Sequence, residues 1–141
     1  MIDATVEERK PDVNEATRRF TQAMKHAQSA DRCVDNESGY ILLYAAVHKA
    51  FGAVLVSIGL RVTAGDRGHA VLIQEAKKHL GKEHVQLLSR LDRARRKRNE
   101  VAYETAQIAN DELATMKKDT LTALGAAGRF IQEQKPSPAS D

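Results

Sequence analysis

The sequence predicts an all-α fold, a helical bundle of four long helices and one shorter one within 141 residues. Three observations lead there. Apolar residues recur at spacings of three and four along most of the chain, which gives helices with one buried face. Asp, Asn and Ser precede several of these runs, where a helix needs side-chain oxygens for its first free N–H groups. No stretch alternates apolar and polar residues in the manner of a strand, and no segment repeats another.

The elements follow in order. Residues 1–11 carry Asp3, Glu7 and Glu8 and no apolar run, so they read as a flexible N-terminus and not as a signal peptide. Val13, Ala16, Phe20, Met24 and Ala27 mark the inward face of a first helix over residues 13–30. Asp35, Asn36 and Ser38 offer cap oxygens to a second helix that runs to Leu60. That helix contains the most apolar run, YILLYAAVHKAFGAVLVSIGL, which is long enough to span a membrane. His48 and Lys49 stand at its centre, where charge is costly in lipid, so it reads as the buried central helix of the bundle. Residues 63–68 form a loop in which Asp66 can cap a third helix over 69–80, and Gly81 ends that helix. A fourth helix starts near Glu83 and runs to about Glu104. Asn110 or Asp111 caps a fifth, ending near Gln134, with Leu113, Met116, Leu124, Ala127 and Phe130 inward. Pro136 and Pro138 then break helicity, so the bundle occupies residues 12–134 and residues 135–141 are expected to be a disordered tail.

Composition narrows the function classes. Aromatics make up only 4% and there is no Trp, so the core must be built from Ala, Leu, Val and Ile. Lys and Arg number 22 against 19 acids, a net charge of +3, so where the charge sits matters more than its sum. Cys33 is alone, which excludes a disulfide or a CxxC zinc pair within the chain and makes a reducing cytoplasm the expected setting. No P-loop, GxGxxG fingerprint or Ser-His-Asp order appears, and no metal or cofactor is expected.

One stretch carries a sharper signal: RARRKRNEVAYE, residues 93–104. At about 100° per residue, Leu87, Leu91, Ala94, Arg98 and Val101 share one stripe of the fourth helix. Arg93, Arg96 and Lys97 lie elsewhere, and charge runs on helices are usually solvated faces. Arg98 stands within an apolar stripe. It must pair with an acid, such as Glu75 or Asp111, or face a cleft or an interface.

Arg98-Asn99-Glu100-Val101-Ala102-Tyr103 resembles the R-N-x-x-x-H signature of the HEPN family, with Tyr103 where the family has His. The long Ala-rich stretch from Tyr44 to Gly59-Leu60, the Gly68-His69 pair and the Arg95-Arg96-Lys97-Arg98-Asn99 run resemble one bacterial branch of that family. The likeness extends from about Val13 to Gln134. It implies a helical bundle that forms a homodimer through its motif helices, with two Arg-Asn-His sets facing one cleft. In the ribonuclease members that cleft cuts RNA without metal. Others bind nucleic acid, nucleotides or proteins, and many bacterial members are toxins paired with an antitoxin; a nucleotidyltransferase is a further partner class.

The chemistry accounts for the residue types. When a ribose 2′-OH attacks phosphorus, charge builds on the non-bridging oxygens, and an Arg fork holds it. Asn orients the phosphate and His moves the proton. On this resemblance Arg98, Asn99 and Tyr103 are the expected catalytic set, and Arg95, Arg96 and Lys97 gather the strand. A phenol with its ordinary pKa near 10 is a poor base at neutral pH. Tyr103 therefore reads as a modified catalytic group, a binding group, or a packing residue at a dimer interface. His69 is a possible accessory group, either capping its loop or reaching the cleft. His48 reads as a core histidine, His26 as exposed, and His79 and His84 are poorly placed for a zinc pair. The competing class is a non-catalytic dimeric protein that docks an antitoxin or nucleotidyltransferase, with Arg98 in a buried ion pair.

Overall fold

Asp12 opens the first helix: its Oδ1 accepts the Glu15 N–H at 2.9 Å, and α1 runs over Val13–Ala30. The computed structural model describes residues 5–63 and 68–136. The elements that follow are α2 (Asn36–Ser57), α3 (Gly68–Leu80), α4 (Val85–Tyr103) and α5 (Asn110–Glu133), with a 3-10 turn over Lys82–His84 before α4. The fold is mostly helical, as the apolar spacing requires.

α2 is the axis of the molecule. Asp35 caps it by accepting the Ser38 N–H at 2.7 Å. Tyr44, Phe51, Leu43, Leu55, Val47 and Val54 along it are almost wholly buried. It is long and apolar enough to cross a membrane, but 67% of its apolar window is buried inside the fold, as in the core helix of a soluble protein. α1 packs most extensively on it, through Ala16, Ala23 and Ala27, whose small side chains let the helices approach closely. α5 packs beside both, placing Gly128 against the Phe20 ring, where a Cβ would stand 3.0 Å from the ring edge.

Three sequence expectations are corrected. The second helix ends at Ser57, not Leu60, because Gly59 adopts φ 83°, a left-handed turn that an L side chain resists. Leu60–Val62 is then a short strand, β2, pairing antiparallel with β1, Val6–Glu8, so the chain is not strand-free. Of residues 1–11, expected to be a flexible N-terminus, Val6–Glu8 lie in that pairing and the Arg9 N–H donates to the Gly59 carbonyl at 2.7 Å. Strands of three residues are too short for alternation to register in a sequence. The fifth helix is capped at Ala109, not at Asn110 or Asp111; the Ala109 N–H donates to the Glu112 carboxylate at 3.2 Å. Asn110 is instead bonded by the Asn36 amide at 2.7 Å. Asp66 as a cap, the centre of the 63–68 loop and most of the 135–141 tail lie outside the described residues.

The link from α4 to α5 is pinned to the start of α2. The Asn36 amide donates to the Ile108 carbonyl at 3.0 Å, and the Ile108 N–H donates to Glu37 at 2.9 Å. Ile108 itself is buried. These bonds fix where the last turns of α4, and so Arg98, lie against the bundle.

Candidate functional site

α4 buries Leu87, Leu88, Leu91 and Ala94 against the bundle. One turn further on, the stripe reaches Arg98, which is half-buried, and then Val101. The acids expected to neutralise Arg98 are engaged elsewhere. Glu75 pairs with Lys78 at 2.8 Å, and Asp111 accepts the Glu112 N–H at 2.9 Å. Among the described residues, Arg98 has no carboxylate partner. Its Nη1 donates to the Asn99 side-chain oxygen at 3.1 Å, and its Cζ lies 5.8 Å from the centroid of the Tyr103 ring. The ion pair expected with Glu75 or Asp111 is thus not formed, and Arg98 lines a cleft.

That cleft is a cavity of about 210 Å³ whose walls include Tyr44 and His48 from α2, His69 from the first turn of α3, and Arg98. Tyr44 and His48 are four residues apart, so one face of α2 presents both. The Tyr44 and His69 rings stack at 5.8 Å between centroids with planes 10° apart. His48 and His69 lie closer, at 4.2 Å. Burial, then the nearby charges of His69, Arg98 and Lys49, hold His48 down to about 4. His69 is lowered for like reasons, burial first, then Arg98 and Arg95. Burial pushes the Tyr44 phenol up to about 12 against the pull of Arg95 and Arg98. At neutral pH the site thus holds a guanidinium with no carboxylate partner among the described residues, beside two neutral imidazoles. That is an anion holder next to groups able to accept a proton.

The sequence-predicted set divides. Arg98, Asn99 and Tyr103 do meet at the exposed end of α4. Tyr103 lies outside the cavity walls, with 77% of its surface open to solvent. His69 reaches the cleft, which the sequence left undecided between cleft and loop. Arg95 pairs with Asp92 at 3.2 Å, Arg96 with the same carboxylate at 3.5 Å, and Lys97 with Glu112 at 3.8 Å. These pairs are partly or largely exposed, so each is weak and opens at small cost. His48, read from sequence as a core histidine, joins the site. Its signal was the one that marked Arg98: a titratable group interrupting an apolar helix, one turn from Tyr44.

Searched against protein-family models the chain matches none, and it matches no curated protein.

Proposed function

We propose that the chain is a cytoplasmic HEPN-like RNA-binding protein that acts as a metal-independent endoribonuclease of toxin-antitoxin type. The reading rests on the Arg98-Asn99-Tyr103 motif and is carried by one observation. Arg98 is a half-buried guanidinium without a carboxylate among the described residues, sharing a cavity with His48 and His69. A cation that the fold leaves unneutralised is suited to an anion from outside, and a phosphodiester fits an Arg fork.

The step balances with groups of this chain. His69 takes the 2′-OH proton as the 2′-oxygen forms its bond to phosphorus, and Arg98 holds the negative charge that builds on the phosphoryl oxygens. The P–O5′ bond breaks, leaving a 2′,3′-cyclic phosphate and a 5′-oxygen that takes its proton from the Tyr103 hydroxyl or water. Asn99, bonded to Arg98, fixes the fork's orientation. The exposed Tyr103 ring offers a surface on which a second copy of α4 would pack in a two-fold homodimer, which would bring two motif sets to one cleft.

A second reading is favoured by Tyr103 itself. Its exposure, outside the histidine cavity, also suits a non-catalytic interaction protein that docks an antitoxin or a nucleotidyltransferase through this end of α4. Cleavage of a fluorescent single-stranded RNA in the presence of EDTA separates the two. The ribonuclease reading expects cutting by the wild type and loss in Arg98→Ala and His69→Ala. Equal background in all three leaves the docking reading.

A further inference from the structure

A second cavity, of about 390 Å³, shares His48 and His69 with the Arg98 cleft and extends from them between α2, β2 and α3. Its floor is apolar, with Leu55, Leu60 and Leu72, and Arg61 stands on its wall. The Arg61 Nη1 donates to the Leu60 carbonyl at 3.0 Å, and among the described residues no carboxylate lines the cavity. Its size falls within the range of small-molecule sites, about 300–1,000 Å³.

The feature that assigns it a ligand is Gly52. Glycine inside a helix is destabilising relative to alanine, so it is kept where a side chain would collide. Gly128 meets that condition against Phe20. Gly52 does not: a Cβ there would meet nothing within 4 Å. The space that the missing side chain leaves belongs to the cavity, not to the packing of the protein.

We propose that this cavity is a nucleobase pocket, which takes the base of the nucleotide whose phosphate Arg98 holds. The proposal rests on the reading of Arg98 as a phosphate holder. The two imidazoles line both cavities, and with Leu55, Leu60 and Leu72 they give a planar base aromatic and apolar groups to pack against. Gly52 lets the ring approach the α2 backbone. RNA would then bind single-stranded, with one base lifted from its stack.

Isothermal titration of AMP, GMP, CMP and UMP, with ribose 5-phosphate as the base-free probe, tests this on wild type, Gly52→Val and Arg98→Ala. At least one nucleotide should bind about tenfold tighter than ribose 5-phosphate, as expected for a stacked base. Gly52→Val should erase that preference and leave ribose 5-phosphate binding unchanged. Gly52→Ala, whose methyl meets no neighbour, keeps the test open if the valine variant fails to fold, and should lower the preference severalfold. No preference in the wild type, or an unaltered preference in folded Gly52 variants, overturns the proposal. Arg98→Ala should weaken every ligand together. If it weakens none while Gly52→Val still erases base preference, the phosphate reading fails and the base pocket stands.

Discussion

The imidazoles of His48 and His69 lie 4.2 Å apart, brought together from the middle of α2 and the first turn of α3. Close, partly buried rings of this kind resist taking on charge together. His48 titrates near 4 in the folded chain and near 6.5 when unfolded. The unfolded chain therefore binds more protons between those values, so the stabilisation is complete above pH 6.5 and is lost as pH falls toward 4. After allowance for solvent screening, the loss from His48 is about 2 kcal/mol. Urea unfolding at pH 7.5 and 4.5 should show a drop of that order in the wild type and a smaller one in His48→Gln. Equal drops would mean that the ring is not held neutral.

Arg98 lowers both imidazoles through its charge. Arg98→Ala should raise the pKa of His48 and of His69, read by NMR titration of the ring carbons. Because no carboxylate among the described residues depends on Arg98, its removal should change stability by less than about 0.5 kcal/mol. A large loss of stability would instead indicate a structural ion pair.

Two helix glycines should respond with opposite signs. Gly52→Ala gains helix propensity without a clash and should stabilise the fold by roughly 0.5–1 kcal/mol. Gly128→Ala drives a methyl toward Phe20 and should lower the melting temperature. Thermal melts followed by circular dichroism distinguish the two.

Arg90 grips Asp119 with two bonds, at 3.0 and 3.1 Å, and Asp119 is almost fully buried. Arg90→Ala leaves that carboxylate without its cation and should destabilise the fold by about 2 kcal/mol, measurable by denaturant unfolding. The pair ties α4 to α5 and neither residue lines the histidine cleft, so the wild-type His48 titration should persist in the variant.

Much of the fold was legible because α1 carries an apolar stripe, α2 is apolar around most of its circumference, and Asp35 is a helix cap of the kind that local sequence encodes. The β1–β2 pairing was not legible. It joins residues 6–8 to 60–62 across the whole of α1 and α2, and neither partner is long enough to show a period. The Ala109 cap was missed because its stabilising oxygen comes from Glu112, within the helix, and not from the cap residue. At the site, Arg98 was visible as a break in a stripe. His48 carried the same mark, but only the fold shows that α3 brings His69 over it, which turns a core histidine into part of a cleft.

The central claim is that Arg98 is left free to hold an RNA phosphate. Its most direct test is the fluorescence anisotropy of a labelled single-stranded RNA, protected from cleavage by 2′-O-methyl groups, titrated with wild type and Arg98→Gln at low salt. The account predicts that the variant binds at least about tenfold more weakly, as expected for loss of a bidentate charged contact, while its fold is unchanged. Equal affinity of the two proteins would contradict it.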